Sequence, residues 1–218
     1  EWAFILSCEK GHLEVAKWLY KVKPTVDISA EDAFRWSCYY GHLEVTKWLL
    51  EIKPTIDVIY AFIESCEKGH LEVAKLLYKV KPTVDISADN EWAFRWSCRN
   101  GHLIVAKWLL EIKPTIDISA DNEYGFKWSC CKGYLNVAMW LYEIKPTIDI
   151  SRVNDIIYVN QIIIKWLVTL NLNKYGLKYK IIDGKYKLYK QIKTIKKDNI
   201  VFTDKCCICL EEANCLTE

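Results

Sequence analysis

Apolar and polar positions alternate along this chain in short helical bursts that stop at fixed landmarks. In the stretch from Glu91 to Asp121, the pattern predicts a short helix through Arg99, capped by Asn90 or Glu91, and broken at Asn100-Gly101. A second helix is predicted from Leu103 to Ile112, with Val105, Ala106, Leu109 and Leu110 as its apolar stripe. Lys113 suits the negative helix end and Pro114 cannot continue the helix. Ile116-Asp117-Ile118-Ser119 then alternates like a brief extended segment, and Ala120-Asp121-Asn122 turns into the next burst.

This block of about 32 residues recurs at least five times. Its glycine landmarks are Gly11, Gly41, Gly69, Gly101 and Gly133, spaced 30, 28, 32 and 32 residues apart. Helices of about ten residues are marginal alone in water, so each copy needs its neighbours, and the expected fold is an all-α solenoid of stacked helix pairs. Phe, Ser, Cys, Gly, Val and Leu barely change between copies, which marks the core. The changing positions are Ile5/Arg35/Ile63/Arg95/Lys127 and the pairs Glu9-Lys10, Tyr39-Tyr40, Glu67-Lys68, Arg99-Asn100 and Cys131-Lys132.

Particular residues carry a resemblance to the ankyrin repeat. Gly101-His102-Leu103-Ile104-Val105 and Gly41-His42-Leu43-Glu44-Val45 resemble its Gly-His-x-Glu-Val segment, Leu109-Leu110 match its Leu-Leu, and Ser97-Cys98 stand where it has Ala-Ala. Thr115-Ile116-Asp117 resembles its Asp-Val-Asn, whereas Trp92-Ala93-Phe94-Arg95 replaces its Thr-Pro-Leu-His opening. The repeated Trp and Lys-Pro-Thr-Ile-Asp-Ile resemble ankyrin proteins encoded by giant DNA viruses of amoebae. The resemblance covers residues 1–170, five to six repeats with a degenerate last copy at Ile162–Leu167. In that family the inner helix and connector tips line a concave binding face. The resemblance therefore implies that Arg35, Tyr39, Tyr40, Arg95, Arg99 and Lys127 point towards a protein partner.

Composition narrows the function. Half the residues are hydrophobic and about a quarter charged, enough to bury a core and stay soluble. Five of the ten Cys (Cys8, Cys38, Cys66, Cys98, Cys130) share one repeat position. Such placement suits a small buried side chain, and helices stacked about 8–10 Å apart hold these thiols too far apart for disulfides. A reducing, intracellular setting follows, the host cytoplasm if the source is viral. The four His (His12, His42, His70, His102) also share one position, so they read as structural helix starts rather than catalytic or metal-binding groups. Trp18, Trp48, Trp108, Trp140 and Trp166 recur in the second helix and read as stacking between copies. No signal peptide or membrane span is visible, a monomer is expected, and no residue in 1–205 supports catalysis.

Residues 171–205 break the pattern, with ten Lys against three Asp. They read as a basic linker, in which Leu188, Ile192 and Ile195 of Lys185–Lys197 stand at helical spacing. Nucleic-acid contact through this run is the lesser reading. Cys206-Cys207-Ile208-Cys209-Leu210-Glu211 follows, and Cys206 and Cys209 have the Cys-x2-Cys spacing of a zinc knuckle. The run resembles the opening of a RING finger. That resemblance implies an incomplete zinc site at Cys206 and Cys209, and contact between Ile208 and a ubiquitin-conjugating enzyme. Cys215 comes too early to be the third ligand. The chain is expected to be a fragment: it opens partway through a repeat without an initiator Met, and residues 206–218 read as a truncated finger. The expected function is target capture by the array, as the substrate-binding part of a RING-type ubiquitin ligase. The alternatives are a pure scaffold and, third, a nucleic-acid binder.

Overall fold

A computed structural model describes residues 1–23, 31–149, 161–170, 177–182, 185–196 and 199–206. The chain divides into two compact units, Glu1–Asp117 and Ile118–Glu218.

The first unit is four helix pairs: α1 (Trp2–Glu9) with α2 (Leu13–Val22), α3 (Glu31–Tyr39) with α4 (Leu43–Ile52), α5 (Ile59–Lys68) with α6 (Leu71–Val80), and α7 (Ala88–Arg99) with α8 (Leu103–Ile112). The first helices stack α1 on α3, α3 on α5 and α5 on α7. The core is the set of positions that do not vary: Phe4, Phe34, Phe62 and Phe94, the thiols Cys8, Cys38, Cys66 and Cys98, and Leu49, Leu77 and Leu109 are all buried. The buried serines satisfy themselves on their own helix, Ser7 Oγ donating to the Phe4 carbonyl at 2.7 Å and Ser37 Oγ to that of Phe34 at 2.7 Å.

Glycine and histidine lock neighbouring copies together. Gly11 closes its turn at φ +73°, and a Cβ there would lie 2.5 Å from Nδ1 of His42 in the next copy. Only glycine satisfies both demands. The same His42 donates from Nε2 to the Glu9 carbonyl at 2.7 Å, and His70 and His102 bond likewise to the backbone of Tyr39 and Glu67. These three histidines each start a helix of their own copy and tie it to the turn before. The connectors add ion pairs, Lys81 to Asp57 and Lys113 to Asp85, each at 3.5 Å. As expected, the second-helix tryptophans stack between copies. Trp48 lies against Phe4 and Tyr20, and Trp108 against Phe62 and Tyr78. Trp18, in the first copy, is 61% exposed.

The helix start at residues 87–92 differs from the expectation. No side-chain cap hydrogen bond is made where α7 begins, at Ser87. Asp89, Asn90 and Glu91 instead form a left-handed turn at φ 52°, 59° and 62°. Asp and Asn tolerate that region because their short side chains can bond locally, whereas Glu does not favour it. Glu91 is held by burial: Oε1 accepts from Ser87 Oγ at 2.8 Å and from the Asp117 N–H at 3.3 Å.

The second unit repeats the pair as α9 (Ala120–Lys132) and α10 (Leu135–Ile144), followed by α11 (Gln161–Thr169). Asp121, Asn122 and Glu123 form the same left-handed turn. Trp166 of α11 lies against Tyr142 of α10, the inter-copy contact expected of the degenerate last repeat.

Residues 177–206 correct the linker reading. They form a three-stranded antiparallel sheet, β1 (Leu177–Ile182), β2 (Lys185–Lys196) and β3 (Asn199–Cys206), in the order β1-β2-β3. Leu177 pairs with Lys190 and Ile182 with Lys185, while Tyr189 pairs with Cys206 and Lys196 with Asn199. Period two outweighs the helical spacing in Lys178-Tyr179-Lys180-Ile181 and Lys185-Tyr186-Lys187-Leu188. The two-residue joint Asp183-Gly184 is a strong hairpin signal that the helical reading passed over. β2 runs beside α11. Among the described residues no helix is long and apolar enough to cross a membrane.

Candidate protein-binding face of the first helices

The side chains that α1, α3, α5 and α7 do not bury are largely aromatic and charged. On α3, Trp36 lies 5.4 Å from Tyr39 and 6.0 Å from Tyr40, and the two tyrosines meet edge-on at 5.0 Å. Cations sit over this cluster from both neighbouring copies, Lys10 Nζ 5.7 Å from the Tyr40 ring and Lys68 Nζ 4.5 Å from that of Tyr39. On α7, Trp92 and Trp96 stack at 5.0 Å and 13°, and the Arg99 guanidinium lies 3.9 Å from the Trp96 ring. Rings held this way lose little entropy on binding, and such residues dominate protein interfaces.

Of the residues expected to face a partner, Tyr39 and Tyr40 come together in one cluster, and Arg99 covers the Trp pair of α7. Arg35 is exposed and grips the Glu64 carboxylate of the next copy, with Nε 2.9 Å from both oxygens. Arg95 is a correction. It is only 7% exposed, and its guanidinium donates to the Asn90 carbonyl at 2.6 Å and the Asp89 carbonyl at 2.9 Å. The left-handed turn aims those carbonyls inward, so Arg95 completes the turn instead of greeting a partner. Lys127 is half-buried at the equivalent position of the second unit.

Trp36, Tyr60, Trp92 and Trp96 escaped the sequence reading. Trp36, Trp92 and Trp96 each stand three or four residues from a position that reading did select, and that spacing was the signal available, whereas no selected residue lies on α5 beside Tyr60. Cys209 and Ile208 lie outside the described residues, and Cys206 ends β3.

Other chemistry on the array is muted. Burial pushes the Cys8 and Cys38 thiols up to about 12 and those of Cys66, Cys98 and Cys130 higher still, so these sulfurs are not nucleophiles. Burial also holds the His70 and His102 imidazoles below their ordinary value, the neighbouring histidine adding to the effect. Among the described residues no group of His, Cys, Asp or Glu is placed to hold a metal ion.

Stacked helix pairs joined by short connectors, with an aromatic face on the first helices, define a helix-pair repeat scaffold. Residues 34–122 match the family model described as Ankyrin repeats (3 copies), and the helix pairs of the first unit stack as an ankyrin-type solenoid. Ankyrin repeats are protein-interaction scaffolds. No curated protein matches the chain.

Proposed function

We propose that this chain captures a protein target on the face of its first helices, centred on Trp36, Tyr39 and Tyr40. The supporting observation is that cluster: three rings in mutual contact, flanked by two lysines, on a helix whose opposite side is fully buried. Rings and cations so arranged offer a partner both apolar area and charge-assisted contacts. A photo-crosslinking residue at Tyr40, compared with one at exposed Glu44 on α4, tests the reading. The expected result is one target captured from Tyr40 alone, whose binding by purified protein weakens at least about tenfold in Trp36→Ala. Equal capture from both positions, or undiminished binding by the variant, overturns it.

We further propose that the captured target is presented to a ubiquitin-conjugating enzyme by a RING-type finger beginning at Cys206 and Cys209. Zinc would be held there only if further ligands complete the finger, with Ile208 against the enzyme. The reading is supported by the run Cys206-Cys207-Ile208-Cys209-Leu210-Glu211. Such a finger works by positioning and supplies no nucleophile. The test is ubiquitin transfer to the captured target by the protein as its source produces it. Transfer that disappears with Cys206→Ser and Ile208→Ala supports the proposal, and absence of transfer by that protein removes it.

A further inference from the structure

Most aromatic side chains on this face already have company. Lys10 covers Tyr40, Lys68 covers Tyr39 and Arg99 covers Trp96, while Trp92 has Trp96 stacked on it and the Arg95 guanidinium 5.9 Å from its centroid. Tyr60, at the first turn of α5, has none: like Trp2 at the same position of α1 it is largely exposed, at 70%, with no ring or cation against it among the described residues. It shares a cavity of about 200 Å³ with Trp92, floored by Ile63 and rimmed by Glu64, Glu67 and Asp89. Two of those carboxylates are engaged, Glu64 by Arg35 and Glu67 by Lys68 at 3.2 Å. The exposed Asp89 carboxylate has no ion-pair or hydrogen-bond partner among the described residues. The left-handed turn, at φ 52° there, places it on the rim.

An uncovered ring and an uncompensated carboxylate therefore open into one cavity. A cation is the group that satisfies both, because the ring face is electron-rich and the carboxylate accepts hydrogen bonds. A small inorganic ion gains little from the rings, whereas an alkylammonium also buries its stem against Ile63 and the aromatic walls. A guanidinium fits less well, since Glu64, the carboxylate suited to a two-pronged grip, is already held that way by Arg35. We propose that the cavity between α5 and α7 receives a lysine side chain of the captured protein, its ammonium plain or methylated, between Tyr60, Trp92 and Asp89. This inference rests on the protein-binding reading and names the chemistry of the partner.

The test uses the full chain and small probes: Nα-acetyl-lysine methylamide, its side-chain trimethylated form, and its neutral side-chain acetylated form, followed by NMR at the Trp92 indole. The charged probes are expected to saturate with a Kd of roughly 1–10 mM, the range open to a single side chain, and the acetylated probe to leave the signal unmoved. Tyr60→Ala and Asp89→Asn should each weaken binding at least about fivefold, while Tyr60→Phe keeps it. Asn is at home in the left-handed region, so Asp89→Asn removes the charge and spares the turn. A trimethylated probe that survives Asp89→Asn but not Tyr60→Ala identifies the methylated form as the natural occupant. Plain lysine weakened by both changes identifies the unmodified one. No saturable shift up to about 50 mM, an equal response to the neutral probe, or undiminished binding by the double variant overturns the proposal. Target capture that survives Tyr60→Ala with Asp89→Asn overturns this inference alone. Loss of capture in Trp36→Ala with probe binding intact concerns only the wider face.

Discussion

The third and fourth copies solve the same problem, starting a first helix after a connector, in two ways. In the third, Asp57 Oδ1 accepts the Ile59 N–H at 3.1 Å and α5 begins at once. In the fourth, Asp85 Oδ1 likewise accepts the Ser87 N–H at 3.0 Å, but Ala88-Asp89-Asn90-Glu91 intervene before Trp92 takes the place of Tyr60. Those four residues include three in a region that costs L-residues about 1–2 kcal/mol each. The cost is met by Arg95, which stands where the third copy has buried Ile63, and by Glu91, which reaches the next connector. An insertion between repeats is thus tolerated when a side chain one helical turn later supplies what the turn lacks. It also adds to the cavity rim a carboxylate that, unlike Glu64 and Glu67 of the shorter copy, has no ion-pair partner among the described residues.

The sharpest way to break the comparison is Arg95→Ile, which gives the fourth copy the residue of the third. It should lower stability by about 2–3 kcal/mol, read as a fall in the urea midpoint, because two turn carbonyls lose a charged donor. In a chain also lacking residues 88–91 the same substitution should be neutral or stabilising. The resulting coupling of about 2 kcal/mol would show that Arg95 serves the insertion and nothing else. Glu91→Ala should cost less, about 1–2 kcal/mol, through loss of the bonds to Ser87 and Asp117, with faster amide exchange at Asp117 as its local signature.

A pH titration tests what the two copies share. His70 and His102 are held below their ordinary value, chiefly by burial, so the unfolded chain takes up protons first as pH falls. Stability is full above the unfolded value of about 6.5 and declines below it until the lowered folded values are reached. The urea midpoint should therefore be lower at about pH 5.5 than at about pH 7.5, with or without residues 88–91. Smallest is Asn90→Gly, which relieves the left-handed conformation and should change stability by no more than about 0.5 kcal/mol, whereas Asn90→Val should cost about 1–2 kcal/mol.

The core was legible because repetition acts as an internal control. Phe94, Ser97, Cys98 and Leu109 recur unchanged, and all are buried. The same logic failed at Arg95. Variation at that position was read as exposure, but what varies is the connector ahead of it: Ile63 follows a short one and Arg95 a long one, and both are buried. Tyr60 and Trp92 were passed over for a related reason, since an aromatic at a helix start reads equally well as core or surface until its neighbours are known. In residues 177–206, Leu188, Ile192 and Ile195 satisfied a helical spacing while their neighbours satisfied a strand, and the strand pattern is the one the chain adopts.

The pairing of Gly11 with His42, repeated at Gly41 with His70 and at Gly69 with His102, has a further consequence. The copies of Gly41 and Gly69 carry both halves of the junction, a bare backbone for the copy that follows and an imidazole for the one before. A segment duplicated in register therefore fits its neighbours without compensating change, and the array can lengthen or shorten by whole units over generations. Junction contacts also join residues only about thirty positions apart however long the array becomes, so added copies leave the loop-closure cost of each junction where it was.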